Sequence, residues 1–555
     1  MTTADWSAND SPEESPFATG ITDEPNAVDR TLETLSEYLN PILVKEGRQA
    51  LKSFQFFFTF LLLLLIGWAW SMFGVTRSMP GIYYVPAGPM MLVGYYWILL
   101  FPLLVVIPFA SFLSLANERN DGTYELVSIT TLSPLQIILG KLGSSVVQML
   151  IYLSALSPCL AFTYMLRGID ILSILLLIVY AFMGSVACSA CALLLATMAV
   201  GGAAQGFLMV LLGGGLLFVL FMFCMSGMQV GLMGTFALDN SGFWMTQLST
   251  LSFYIALLSL VCLAAGARIA PASENRSTRL RICMSVIQML LTGWFTYLVF
   301  TIDENEIMLG YIFFATIFWY VMGVFMTCES PVMSERVKRS LPASFLGRML
   351  FTWFNPGPGT GYMFATGNML AVAILAVIIM LAAGTRSGVT FNEDVPWMAL
   401  LACCYVIVYL GIVRLLISVA RRVTYCGMLL GAMIHVLLLV GGMATALSVQ
   451  WGIFYEFSYS PLQIPNPFWT LFKAAEGNID IYTTPALPGI PIVPVVMVAA
   501  ALAVLLANLF AVTGALSHVH APTPERVIAD ELEFHPVPEA APKPTNPWDL
   551  DNDGG

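Results

Sequence analysis

Carboxylates are missing from every long apolar run of this chain, and histidine enters those runs once, at His435. Ion-coupled carriers and proton relays need ionisable groups at membrane depth, where their energetic expense marks function. Secondary transport is therefore disfavoured, and His435, alone in GAMIHVLLLV, reads as a packed or hydrogen-bonded helix residue. A phosphate-binding GxxxxGK[ST] loop is also missing: the nearest glycine-rich stretch, Asn355 to Gly361, has neither the lysine nor the strand-to-helix setting. If ATP drives this protein, another polypeptide binds it. Charged residues make up only 10% of the 555, the formal net charge is −11, and nothing suggests nucleic acid as a partner. Cys188 and Cys191 share a helix face, but no His or carboxylate joins them. Gly184, Ser185 and Ala192 on that face read as close helix packing, so no metal is expected.

What the chain has in abundance is apolar helix. Hydrophobic residues make up 58% and mean hydropathy is +0.81. Runs long enough to cross hydrocarbon lie at 54–74, 90–116, 142–166, 171–199, 206–232, 248–267, 282–302, 307–327, 366–384, 397–418, 427–450 and 490–516. In an open chain only a helix satisfies its own backbone there. The expected fold is an all-α polytopic membrane protein of twelve transmembrane helices, in two six-helix halves. Lysine and arginine resist translocation. With both termini in the cytoplasm, only Arg77, Arg167, Arg386 and Lys473 of the twenty-three basic residues fall outside.

The acidity is concentrated in the tails. Residues 1–37 carry nine acids against Arg30, and residues 517–555 carry eight against Arg526 and Lys543, which leaves the remainder at +3. Both tails are rich in Pro, Ser, Asp and Glu, and read as disordered and cytoplasmic. The cysteines lie in spans or at cytoplasmic ends, so disulfides are not expected. No cleavable signal is expected either, because the acidic N-terminus has no short apolar h-region.

Before the first span, Leu39, Ile42, Leu43 and Leu51 alternate with Lys45, Glu46, Arg48 and Lys52 at helical spacing. This predicts a helix in the inner membrane interface, with a solvated juxtamembrane turn as the alternative. The chain divides near residue 281, after ARIAPASENRSTRLR, leaving six spans in 38–281 and six in 282–516. In each half a long polar segment joins the second and third spans, 117–141 and 328–365. Between the fifth and sixth, aromatics follow an asparagine: Phe243-Trp244 after Asn240, and Phe468-Trp469 after Asn466. These coincidences point to two related units, with the four aromatics as candidates for an external gate. Tryptophan also gathers at membrane interfaces for packing reasons alone.

The segment 117–141, NERNDGTYELVSITTLSPLQIILGK, is the most informative. Asn117 to Asp121 end the second helix in polar residues, and Gly122 permits a tight reversal. Thr123 can cap a short helix from Tyr124, with Glu125 in the first turn, where the helix dipole favours an anion. Ser133 then caps the next helix, and Pro134 takes its first position, where a missing N–H is harmless. A short helix laid across the membrane surface and joined by IILGK to the third span can turn a push from a cytoplasmic partner into tilting of helices two and three.

The order Glu118-Arg119, Gly122-Thr123, Glu125-Leu126, Leu132-Ser133-Pro134-Leu135 and Gly140-Lys141 resembles the E-(R/K)-x-x-G-T-x-E…(T/S)-P-L…GK pattern of type-2 ABC transporter permeases. These are exporter-like membrane subunits with six spans, and the match covers about residues 38–281. NPILVKEGRQALKS looks like the connecting helix that precedes the first span in that family. The resemblance implies that 117–141 contains a coupling helix seated in a groove of a separate, dimeric ABC ATPase subunit. Glu118, Arg119, Gly122, Thr123, Glu125, Ser133, Pro134, Gly140 and Lys141 would make or support that contact. ATP and magnesium would then sit on the partner, with no cofactor bound here and no enzyme activity in this chain by itself. The resemblance also implies a bacterial inner membrane and a re-entrant or short external helical element at about 228–247. A second permease chain is a further candidate partner beside the lipid bilayer.

The second half has no copy of the GTxEL pattern. ESPVMSERVKRSLPASFLGR shares a leading Glu and a Leu-Pro but is far more basic. Glu335, Arg336, Lys338 and Arg339 are candidates for a second cytoplasmic contact, whether a diverged coupling element, a regulatory contact or a positive anchor. In the external segment 451–489, PNPFWTLFKAAEGN can form a short interfacial helix stopped by Gly477, as a gate, a substrate-access lip or an aromatic-belt loop. Arg414, near the inner end of its helix, is expected to snorkel. Two other classes are carried as alternatives. A polytopic membrane enzyme acting on lipid-linked substrates would have only Glu393-Asp394 and Asp303-Glu304-Glu306 as acidic groupings in external loops. A non-transporting scaffold or sensor of an ATPase complex would differ from a permease only in flux.

Overall fold

The computed structural model describes residues 40–81, 84–122, 132–199, 201–233, 236–271, 273–302, 306–330, 334–339, 344, 352–387, 394–423, 427–455, 459–476, 483–484, 487–516 and 524–534. Among these residues, twelve helices are long and apolar enough to cross a membrane. The chain is a multi-span, all-α membrane protein. The strands among the described residues are one short antiparallel pair, Thr483–Thr484 with Leu487–Pro491.

By packing, the chain forms two units, Met1–Phe236 and Ala237–Gly555. In the first, α1 (Pro41–Leu51) precedes five spans: α2 (Phe54–Ser78), α3 (Gly88–Asn120), α4 (Pro134–Met165), α5 (Ile171–Ala196) and α6 (Gly202–Met233). Local chemistry sets where several of them begin. The side chains of Ser53, Ser133 and Asp170 accept from the backbone N–H groups of Phe56, Gln136 and Ser173, capping α2, α4 and α5. The hub is α3, whose Tyr95, Leu99, Leu103, Phe112 and Leu115 are wholly buried and which packs on α2, α4, α5 and α6. A π-helical stretch at Pro102–Val106 interrupts it, and inside that stretch the Ser185 hydroxyl of α5 donates to the Leu103 carbonyl. By contrast α2 exposes Phe54, Phe57, Leu65 and Trp68, the outward apolar face that a lipid-facing helix requires.

The second unit contains α7 (Ser241–Ile269), α8 (Thr278–Thr301), α9 (Ile307–Thr327), the short α10 (Glu335–Arg339), α11 (Pro358–Ser387), α12 (Asp394–Val423), α13 (Met428–Phe454), α14 (Pro467–Ala475), α15 (Ile492–Leu516) and α16 (Glu525–Phe534). Because α7 lies along α8, the packing division falls one helix before residue 281. The order of neighbours around α9 matches that around α3: it packs on the long helix before it, α8, and on the three that follow, α11, α12 and α13. Within the acidic tail 517–555, read as disordered, Glu525–Phe534 is helical. Average composition hid the reason: in the sequence, apolar Ile528 and Leu532 are four apart, at helical spacing.

Two buried polar groups in this unit bear on the sequence reading. His435 is buried and shares a hydrogen bond with Thr327, Nε2 to Oγ1 at 3.0 Å, as expected of a packed helix residue. Arg414 does not snorkel. It is buried against α15, where Nη1 donates to Asn508 Oδ1 at 2.7 Å, with the Tyr362 ring 6.0 Å away. A neutral acceptor inside the bundle is nearer than the interface, and it holds the guanidinium there.

A closed polar network joins α8 to α9. Trp319 Nε1 donates to Gln288 Oε1 at 2.8 Å, and Gln288 Nε2 donates to Tyr311 Oη at 3.0 Å and to Thr292 Oγ1 at 3.1 Å. Trp319 and Tyr311 are fully buried, so an acceptor removed here is not replaced by water. Gln288→Leu is expected to lower stability by about 1–3 kcal/mol, read as an earlier thermal transition of the purified protein by tryptophan fluorescence. Thr292→Val, which leaves Tyr311 bonded to Gln288, is expected to lower it less. An unchanged midpoint for Gln288→Leu would contradict the network.

Candidate functional site

One end of the first unit is organised around a buried lysine. Lys141 lies in the second turn of α4, and its side chain is 3% exposed. Its ammonium meets three groups: Glu46 Oε1 of α1 at 3.2 Å, Glu118 Oε2 of α3 at 2.9 Å, and Ser114 Oγ of α3, to which it donates at 2.8 Å. Ser114 passes the interaction on by donating to Glu46 Oε2 at 3.0 Å. An ammonium has three donors, and here three groups receive them. Lys45, 63% exposed, lies 3.7 Å from Glu118 and 3.9 Å from Glu46. It balances the second carboxylate, but as a screened surface charge it contributes little.

Local sequence places these groups. Asn40 caps α1 by accepting from the Ile42 N–H, and its Nδ2 donates to the Gln136 carbonyl in the first turn of α4 at 2.6 Å. Ser133 and Gln136 form a reciprocal capping box, with Pro134 at the first position of α4. Gly140 is required by the close approach of α1, since a Cβ there would stand 2.8 Å from Ile42 Cβ and 3.0 Å from Asn40 Nδ2. A cleft of about 180 Å³ opens beside the tie, lined by Pro41, Ile42, Leu132, Ile137 and the charged groups.

The residues singled out in 117–141 thus divide. Glu118, Ser133, Pro134, Gly140 and Lys141 are brought together to fasten α1, α3 and α4. Arg119 turns away and donates to the Thr197 carbonyl at the C-terminus of α5. There a cation also suits the helix dipole. Gly122 has φ +70°, the left-handed conformation that ends α3, which a Cβ would strain. Thr123 and Glu125 lie outside the described residues. Reading the sequence missed Glu46 and Ser114. A signal existed for Glu46, the one carboxylate between Glu37 and Glu118.

The other candidates lie in the second unit. On α10, Lys338 pairs with Glu335 at 2.6 Å and holds that carboxyl below its ordinary value, while Arg336 is exposed. Phe243 and Trp244 stand edge to face at the start of α7, which Asn240 caps. Phe468 and Trp469 stand at the start of α14, which Asn466 caps, and Trp469 meets Tyr459 at 6.3 Å between ring centroids. The short helix expected in PNPFWTLFKAAEGN is α14, and the segment leading into it packs against α12 and α13. Tyr405 Oη donates to the Ile464 carbonyl at 2.6 Å, and Tyr409 Oη donates to that of Pro465. Tyr409 is the sixteenth residue of α12, so the chain dips roughly 20 Å along that helix. Buried Gln463 donates to the Ala446 carbonyl at 3.0 Å, so this chain is met by protein groups from both α12 and α13. Leu471 and Ala474 are buried while Phe468 and Phe472 are exposed.

Among the described residues no group of three or more His, Cys, Asp or Glu is placed to hold a metal. Comparison with family models, with curated proteins and with solved structures finds no match to this chain.

Lys141→Ala would leave two carboxylates facing each other in a poorly hydrated site. It is expected to cost up to about 3 kcal/mol and to free α1, read as faster tryptic cleavage at Lys45 and Arg48. Lys141→Met combined with Glu46→Gln and Glu118→Gln is expected to recover most of the loss. Equal cleavage of the wild type and Lys141→Ala would remove the tie from the account.

Proposed function

We propose that this chain is the membrane-spanning permease subunit of an ATP-driven exporter of the type-2 ABC kind, set in a bacterial inner membrane with both termini in the cytoplasm. A separate ATPase dimer, holding ATP and magnesium, docks beneath residues 117–141 and closes on each cycle. The supporting observation is the three-way tie at Lys141. The stretch from Gly122 to Leu132 is flanked by Glu118 on α3 and Lys141 on α4, and these are bound to one another and to Glu46 on α1. Displacement of that stretch therefore carries three helices together. The basic ends of α7, α8, α10 and α12 fit the same orientation, because Arg268, Arg279, Arg336, Arg421 and Arg422 resist translocation. In that orientation the segment before α14, packed against α12 and α13, enters from the opposite side, where a gate for an amphiphilic substrate belongs.

Gly122→Pro combined with Glu125→Arg is expected to abolish co-purification of the ATPase subunit and to reduce ATP-dependent export into inverted vesicles at least tenfold, with membrane insertion unchanged. Assembly and export at wild-type levels would reject the coupling role. An assembled, ATP-hydrolysing complex without flux would replace the exporter reading by that of a scaffold or sensor.

A further inference from the structure

The end of the second unit where α8 begins and α9 and α12 finish is drawn together by a buried ion pair and several hydrogen bonds. Arg281, with no exposed surface, donates to Glu329 Oε2 at 2.8 Å; Glu329 also accepts from Ser277 Oγ at 2.6 Å and from the Gly357 N–H at 2.8 Å. Beside it Arg421 donates to the Cys328 carbonyl at 2.8 Å, and Ser334, just before α10, donates to the Ser273 carbonyl at 3.1 Å. These bonds gather the exposed side chains of Arg276, Arg279, Arg336 and Arg422 at one end of the unit. The carboxylates there do not match them. Glu329 is engaged by Arg281 and Glu335 by Lys338, which leaves Glu274 as the other exposed acid among the described residues of this end. An exposed apolar residue, Val423 at 87%, adjoins Arg422.

The complementary surface is on the same chain. On α16, Glu525, Asp530, Glu531 and Glu533 stand against Arg526, a net charge of −3, and its apolar Val527 and Ile528 are exposed. A helix of 10 residues is too short to persist alone in water. Its tether starts in the right place. Gly411 of α12 faces Val504 and Asn508 of α15, and Arg414 faces Asn508, so the two helices run parallel. Their last residues, Val423 and Leu516, end nine and eight positions beyond Arg414 and Asn508, on the same side. The eight residues from 517 to 524 can span at most about 30 Å, roughly three interhelical spacings. A tether of that length also raises the local concentration of α16 to about the millimolar range.

We propose that α16 is a tethered ligand of this basic end, with its carboxylates on Arg279, Arg336 and Arg422 and its apolar residues against Val423. The docked helix covers the cations that would otherwise receive an acidic partner or anionic headgroups. The proposal does not depend on the chain being a permease.

Hydrogen exchange of the full-length chain in phosphatidylcholine nanodiscs tests it. The amides of 525–534 are expected to exchange at least tenfold more slowly than in the free peptide of the same sequence. Glu531→Arg with Glu533→Arg, substitutions confined to α16, is expected to abolish the protection. Arg336→Glu with Arg422→Glu is expected to do the same, and the two pairs together to restore part of it. Exchange equal to that of the free peptide overturns the proposal. So does protection that survives both reversals, or protection seen only when phosphatidylglycerol is added, since the helix is then held by something other than these arginines.

Discussion

An ammonium withdrawn from water must find every one of its hydrogen-bond partners in the protein, and at Lys141 that requirement fixes the end of the first unit. The three partners come from α1 and α3, so α4 can keep Lys141 in its second turn only if both helices are already against it. Gly140, the capping box at Ser133 and the Asn40 bridge to Gln136 all serve that arrangement, by clearing space for α1 and fixing where α4 begins. The charges sum to zero once Lys45 is counted, so the site is buried without leaving an unpaired ion. The cost of burial is offset by geometry and not by attraction alone.

The second unit meets the same problem with other parts. Glu329, just past the end of α9, corresponds in place to Glu118 at the end of α3, but its cation comes from the start of α8 and not from the following span. Nη1 and Nη2 of Arg281 also donate to the Trp353 and Gly357 carbonyls and the Thr360 hydroxyl, while its buried Nε has no partner among the described residues, so a loop leading into α11 replaces the role of α1. A planar guanidinium with five donors can use such dispersed acceptors, where a lysine could not. With the shared order of neighbours around α3 and α9, this favours a common plan for the two units, each fastened at the C-terminal end of its hub helix.

The sequence made legible whatever depends on near neighbours. The spans followed from length and apolarity, and Ser133 with Pro134 announced the start of α4 because capping is settled within one turn. Contacts made over long separations were not legible. Glu46 acquires its role only when α1 folds back on α4, 95 residues away in sequence. Arg414 was misplaced because its acceptor, Asn508, is on another helix and neutral, and charge patterning does not register a neutral partner. The helix α14 was legible from Asn466, Pro467 and Gly477, but the contacts of the chain before it with Tyr405, Tyr409 and Ala446 leave no local pattern. In α16, helical spacing was lost in a compositional average.

The tie also decides which parts of the first unit can move independently. Glu118 stands two residues from the end of α3, and the π-helical stretch at Pro102–Val106 lies about 20 Å further along the helix. Such a stretch breaks the regular ladder and is where a helix under load bends most easily. Between the two, Phe112, Leu115 and Ala116 are wholly buried, so that part of α3 follows its neighbours. A displacement applied between Gly122 and Leu132 thus reaches α3 and α4 together through Lys141, draws α1 along through Glu46, and finds its first compliant point at Pro102–Val106. Without the tie, the turn at Gly122 would be the compliant point, and the same displacement would be spent there before it reached the spans.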